Sequence, residues 1–178
     1  MVKLENKFGG KKLGILGGTF DPAHKGHLAI STEALKKFNL DLVIWAITKK
    51  NPFKNNTENS LEKRISICKK IIKKNKSIKV KYYEDKIKSN KTIDLINFIL
   101  KDKKIKLYFL MGADNIITFH NWHKWKQISQ KCNIIVFDRH GYKRKSLNSR
   151  AFRNIDEEKI KFVQFKKVNI SSSQLRKI

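Results

Sequence analysis

Cysteine is scarce in this chain. Cys68 and Cys132 are the only two in 178 residues, far apart and outside any CxxC spacing. That excludes a disulfide scaffold and a cysteine-ligated zinc site, and it fits two buried thiols in a reducing cytoplasm. Acidic residues are few as well: 15 Asp+Glu stand against 41 Lys+Arg, a formal charge of +26. Such an excess admits two readings. One is a polyanionic partner, either nucleic acid or phosphorylated substrates. The other is compositional drift, because the basic residues are mostly lysines spread along the whole chain beside much Ile and Asn. No run of about 18 apolar residues is present, so no membrane helix is expected. Residues 1–12 are polar and basic without an apolar centre. They read as an N-terminal extension, not a secretory signal. No internal repeat occurs.

What is there suits a globular protein. With 40% hydrophobic residues and 178 positions, one domain spanning 1–178 with its own core is expected. Leu13–Leu16 is a short apolar run closed by Gly17-Gly18, a buried strand followed by a turn. Leu28, Leu35 and Phe38 then fall at helical spacing. Leu42–Ile47 reads as a second strand, and the polar stretch Thr48–Ser60 as a loop. Leu61, Ile65, Cys68 and Ile72 mark one face of a helix. Ile78–Tyr83, Ile105–Met111, Asn133–Phe137 and Lys161–Phe165 supply four more strands. Thr92 is placed to cap a helix carrying Ile93, Ile96, Ile99 and Leu100. Arg139–Arg150 reads as a basic loop, and a short helix is expected after Ser171. Strands alternating with helices predict an α/β fold: one Rossmann-like, doubly wound domain with a mostly parallel sheet. In such sheets ligands bind beyond the carboxyl ends of the strands. Three polar clusters stand there: Gly17–His27, Gly112–Trp125 and Ile170–Arg176.

The first cluster is the most informative. Gly17-Gly18 lets backbone approach a phosphate closely. An Asp21-Pro22 turn leads to a helix start, where free N–H groups and the dipole favour an anion. His24 and His27 are three residues apart, on one face of the first turn. Two donors aimed at one point suit a phosphoryl group whose charge redistributes during transfer. Metal binding by the pair lacks a completing carboxylate or cysteine. In the second cluster, the residues by themselves read Asp114 as a helix cap. Trp122 and Trp125 read as core or surface aromatics of a short helix, and His120 and His123 as solvated or structural. In the third, Ser171–Ser173 is also compatible with a plain N-cap.

The segment Gly17–His27 resembles the signature of the HxGH nucleotidyltransferase superfamily. Together with Leu110–Asn115, Phe119–Trp122, Trp125, Asn51–Lys54 and Ile170–Arg176, the chain is similar to bacterial nicotinate-nucleotide adenylyltransferases. The motifs lie in order and span about Leu13 to Arg176. The resemblance implies adenylyl transfer from ATP to nicotinate mononucleotide, giving the dinucleotide (deamido-NAD) and pyrophosphate, a step of NAD biosynthesis. It implies Mg2+ carried in with ATP, with no dedicated protein cage. By the same resemblance His24 and His27 are catalytic, contacting the ATP phosphates. Gly17, Thr19 and Phe20 line the nucleotide cleft, and Gly112 and Asp114 hold the adenosine ribose. Ser172, Ser173 and Arg176 grip the phosphates. Asn51, Lys54, Thr92 and Trp122 serve the mononucleotide, with the Trp122 indole stacking on the pyridine ring. Partners are thus the two nucleotides, with no membrane and no specific nucleic acid; oligomeric state is left open.

Two departures from the family pattern stand out. Lys91 occupies a position where an aromatic commonly precedes the threonine. Only two residues follow Arg176, so the helix expected there is little more than one turn and depends on docking to the domain. Other acceptors within the superfamily, nicotinamide mononucleotide or pantetheine phosphate, are the near alternatives. A nonenzymatic RNA-binding protein is the alternative from a different class.

Overall fold

The computed structural model describes residues 10–50 and 57–164. In chain order the elements are β1 (Lys12–Gly18), α1 (Lys25–Lys37), β2 (Leu42–Ile47), α2 (Leu61–Ile72), β3 (Ile78–Tyr82), α3 (Glu84–Ile87) and α4 (Thr92–Ile99). Then come β4 (Lys106–Gly112), α5 (Ala113–Thr118), a 3-10 turn (Phe119–Asn121), α6 (Trp125–Lys131), β5 (Asn133–Phe137), α7 (Lys143–Leu147), α8 (Arg150–Asn154) and β6 (Ile160–Val163). The six strands form one sheet in the order β3-β2-β1-β4-β5-β6. Every pairing is parallel.

The apolar runs follow from this arrangement. A parallel sheet is covered on both faces, so its strands read as continuous hydrophobic stretches and not as alternating ones. Along β4, Leu107, Phe109 and Met111 enter the core on one face, with Ile93, Ile96, Ala113, Ile116, Ile128 and Ala151 from α4, α5, α6 and α8. Tyr108 and Leu110 enter the other, with Trp45 of β2 and with Ala34, Cys68 and Ile72 from α1 and α2. The doubly wound expectation is met, and the sheet is parallel throughout. Both cysteines are buried free thiols, each pushed up to about 12 by burial. No described helix is long and apolar enough to cross a membrane.

Several local expectations are corrected. Thr92 is the first helical residue of α4, and the cap is Lys91, through its backbone carbonyl: the amides of Asp94 and Leu95 donate to it. The basic stretch 139–150 contains α7, within which the hydroxyl of buried Ser146 donates back to the carbonyl of the N-cap residue Tyr142 at 2.8 Å. A single apolar residue in that helix, Leu147, left it without periodicity. The expected extension 1–12 overlaps β1, which begins at Lys12; its amide donates to the Asp41 carboxylate at 2.8 Å. β6 begins one residue earlier than expected, at Ile160. Phe165 and the helix expected after Ser171 lie outside the described residues.

Chain order reverses direction across the sheet between β1 and β4. That switch point is where the carboxyl ends of the strands open a crevice. It is flanked by the turn that follows β1 and the turn that follows β4.

Candidate active site

The turn after β1 ends in a pair of interlocked histidines. His24 is the N-cap of α1, in extended backbone, and its Nδ1 accepts from the Gly26 amide at 3.1 Å. His27, three residues on, accepts the His24 amide on its own Nδ1 at 3.2 Å. This is the reciprocal geometry of a capping box, built from two imidazoles in place of the usual hydroxyl and carboxylate. A neutral imidazole has one acceptor and one donor nitrogen. With both Nδ1 atoms accepting, each ring carries its proton on Nε2. The ring centroids are 3.9 Å apart. Burial first, and then the charge of Arg139, lowers the His24 pKa to about 4. His24 therefore stands as a neutral N–H donor at the mouth of α1. No acidic residue occupies the first turn of α1, so nothing there offsets its affinity for an anion.

An aromatic pad fixes the second histidine. Phe20 is buried and stacks on Trp45 of β2, centroids 5.1 Å apart, and it lies 4.8 Å from the His27 ring. Trp45 Nε1 donates to Ser31 Oγ at 2.7 Å, and Ser31 Oγ donates to the His27 carbonyl at 2.8 Å. α1 is thereby pinned to the sheet directly beneath His27. Phe20 supports the histidine from within the fold, where the sequence suggested a cleft wall. Its φ of 50° is unusual for a non-glycine residue. The following Asp21–Pro22 peptide is cis.

Across the switch point, β4 ends at Gly112, the N-cap of α5. Asp114 lies in the first turn of α5, which has no side-chain cap, so it is not the cap the sequence allowed. Instead its Oδ2 accepts from Arg139 Nη1 at 2.8 Å. That is the one ion pair among the described residues. Its partner Arg139, just past β5, also acts electrostatically on His24. His24, Arg139 and Asp114 thus converge from three strand ends. A Cβ built on Gly112 would stand 2.6 Å from Asp114 Oδ1, so glycine there makes room for the carboxylate. At Gly17 a Cβ would meet only Phe109, at 3.6 Å. The same Phe109 meets Trp122 edge-on, centroids 6.1 Å apart. Trp122 also packs against Phe119 and is partly buried. Gly17 and Trp122 therefore border one aromatic ring on β4.

The structure does not gather every expected residue. Thr92 is half-buried at the start of α4. Among the described residues no hydrogen bond or ring contact joins it to His24, Asp114 or Trp122, although α4 packs against α6 just beyond Trp122. Lys91 is exposed. Of the neighbouring histidines, His120 has a buried Nδ1 with no partner among the described residues, and His123 is exposed. Asn51, Lys54, Ser172, Ser173 and Arg176 lie outside the described residues.

Three supporting residues escaped the sequence reading. Arg139 stood in what looked like a solvated basic loop. Asp21 appeared only as half of a turn, yet it is buried and accepts from the amides of Glu58 and Asn59 at 2.7 and 3.3 Å. Arg64 is buried on α2, between Leu61 and Cys68 on the inward face. A cation inside an apolar stripe was its only signal.

Known proteins share this sequence and this fold. Residues 15–178 match the cytidylyltransferase-like family. A probable nicotinate-nucleotide adenylyltransferase of Pelagibacter ubique is 62% identical over 180 residues, covering all of both chains. Another, from Ruegeria, is 34% identical over 83% of this chain and 78% of its own. Among solved structures, the Plasmodium falciparum nicotinic acid mononucleotide adenylyltransferase complexed with NaAD superposes with a TM-score of 0.75 at 21% identity. It covers 94% of this chain and 83% of that one, which shows the shared fold. The chain belongs to the cytidylyltransferase-like family and, within it, to the nicotinate-nucleotide adenylyltransferases.

Proposed function

We propose that this enzyme transfers the adenylyl group of ATP to nicotinate mononucleotide through the paired Nε2–H groups of His24 and His27. The observation that carries this reading is the histidine capping box at the switch point. It occupies both Nδ1 atoms, fixes both tautomers, and leaves the pair suited to hydrogen bonding with phosphate oxygens. The same tautomers make the pair poor metal ligands, because a metal needs the nitrogen lone pair that the proton covers. Magnesium is accordingly assigned to the substrate, entering on the phosphates of ATP and neutralising part of their charge.

A phosphate oxygen of the mononucleotide attacks the α-phosphorus of ATP. A new P–O bond forms, the bond to the β-phosphate bridging oxygen breaks, and pyrophosphate leaves with the electron pair. The nucleophile is already an anion near neutral pH, so no base is needed. Neutral N–H donors suit such a step: they strengthen their hold as charge accumulates on the phosphorus oxygens, with no proton to lose. Asp114 is assigned to the adenosine ribose and Gly112 to the room its carboxylate needs. Gly17 and Thr19 are assigned to the nucleotide cleft, with Phe20 behind His27. Trp122 is assigned to the pyridine ring, with Thr92, Asn51 and Lys54 on the mononucleotide side. Ser172, Ser173 and Arg176 are assigned to a second grip on the phosphates, where a planar guanidinium fits paired oxygens.

The test is pyrophosphate release from ATP and magnesium with nicotinate mononucleotide, nicotinamide mononucleotide or pantetheine phosphate as acceptor. The acid should give the highest kcat/KM. Release only with pantetheine phosphate, or with none of the three, would overturn the assignment. Equal values for acid and amide would remove the specificity.

A further inference from the structure

Arg64 is 1% exposed, and its guanidinium serves four carbonyl oxygens. Nη1 donates to Thr19 at 2.7 Å and to Thr48 at 2.8 Å, Nη2 to Lys49 at 3.1 Å, and Nε to Asn59 at 3.1 Å. Those carbonyls belong to three separate segments: the turn after β1, the loop after β2, and the approach to α2. The loop after β2 is gripped from its other side by Glu84, which accepts from the Thr48 hydroxyl and from the Lys49 amide at 3.2 Å. Two residues past Thr19, the buried Asp21 carboxylate is held by the Glu58 and Asn59 amides and by Asn59 Nδ2 at 2.7 Å.

The stretch 19–21 is thus fastened at both ends to the start of α2, with Phe20 between. Phe20 is the residue with φ of 50°, and a non-glycine residue in that region persists only where its surroundings over-determine it. A buried cation resting on carbonyl dipoles is a costly way to fill space. Apolar residues of similar volume commonly do so at no loss of stability. Here the guanidinium supplies a planar fork that reaches three segments at once, which an ammonium cannot match.

We propose that Arg64 is a positioning residue for adenylyl transfer. By locking the Thr19 carbonyl to the loop after β2, it sets the backbone turn that seats Phe20 behind His27 and presents His24 and His27 to the phosphates. This rests on the adenylyltransferase reading above.

Wild-type pyrophosphate release is measured first, then Arg64→Ala and Arg64→Lys at a temperature well below each variant's Tm. Arg64→Ala should lower kcat by about 100-fold with KM for the mononucleotide within about threefold, as misplacement of catalytic groups does. Ethylguanidinium at millimolar concentration should restore part of that loss, while sodium chloride of equal ionic strength should not. Arg64→Lys should fall between Arg64→Ala and wild type. A folded Arg64→Ala with wild-type kcat would overturn the proposal. So would a loss that tracks the unfolded fraction and ignores ethylguanidinium.

If Arg64→Ala does not fold, Arg64→Lys decides: a kcat equal to wild type overturns the proposal. Imidazole nitrogen resonances of His24 and His27 provide a readout independent of turnover. They should move in Arg64→Lys, and unchanged resonances would overturn the positioning role even if the wild-type enzyme proved to use another acceptor.

Discussion

Because its Nδ1 is engaged by the Gly26 amide and burial lowers its pKa to about 4, His24 is neutral across the ordinary assay range, and the proposed role for it is that of a neutral donor. His24→Asn keeps an acceptor for the cap and removes the titration. The ratio of wild-type to variant kcat should therefore be independent of pH from about 5.5 to 8. An inflexion of that ratio near pH 6.5 would show a titrating His24 and sink the donor role. His27→Ala removes a donor outright and should lower kcat by about 100-fold with little change in the mononucleotide KM; a pure KM effect would reassign it to ground-state binding. The two glycines should separate cleanly. A methyl at Gly17 meets only ordinary contact with Phe109, so the fold has no need of glycine there. Gly17→Ala should leave Tm unchanged and raise the KM for ATP about tenfold or more, by crowding the phosphates. Gly112→Ala must displace the Asp114 carboxylate, 2.6 Å from the new Cβ, and should also loosen the Arg139–Asp114 pair. If Gly17→Ala instead unfolds the protein with normal KM, the glycine serves the fold and not the ligand.

At the scale of elements, α1 carries both the proposed chemistry and a stability consequence. His24→Ala removes a cap and should cost about 1 kcal/mol, while His24→Asn should retain most of it. The depressed pKa adds a pH term. The unfolded chain protonates His24 near 6.5, whereas the folded chain resists protonation until about 4. Stability from this residue is thus complete above pH 6.5 and declines as pH falls to about 4, by about 3 kcal/mol for the full shift and roughly 2 kcal/mol once solvent screening of the partly exposed ring is allowed for. Chemical denaturation at pH 7 and pH 4 should show this loss in wild type in excess of that in His24→Asn; equal losses would deny it. The same scale shows what the sequence could reveal. All six strands were legible because both sheet faces are buried, which turns each strand into an apolar run bounded by turns. α2 was legible from Leu61, Ile65, Cys68 and Ile72. α7 was not, because its buried residue is a serine, and neither was the cap of α4, which is a backbone carbonyl. The Gly17–His27 motif was legible by spacing. Its tautomers depend on which amide each Nδ1 meets, and that appears only in three dimensions. Arg64 and Asp21 were illegible as partners for the same reason: what they hold is mostly backbone, up to 45 residues away in sequence.

For the molecule as a whole, the fold explains how the Gly17–His27 and Gly112–Trp122 segments, far apart in sequence, come to one crevice, since the switch point places the ends of β1 and β4 side by side. It leaves the +26 charge to be accounted for, and the site chemistry helps decide. Charge spread over a whole surface binds any polyanion by releasing its counterions, and that attraction collapses with salt. A nucleotide held by neutral imidazole N–H groups and helix amides depends on short-range hydrogen bonds, which salt screens far less. RNA binding and ATP binding should therefore part company as salt rises. Between about 50 and 200 mM salt, affinity for single-stranded RNA of any sequence should fall by about 100-fold or more, while the KM for ATP changes only a few-fold. Fluorescence anisotropy with RNAs of different sequence, beside pyrophosphate-release kinetics at each salt concentration, makes the comparison. RNA affinity that persists at 200 mM with a clear sequence preference would give the surface charge a specific nucleic-acid role. If both fall together, the phosphates of ATP are gripped mainly by lysine and arginine, and the histidine pair loses its place as the principal anchor.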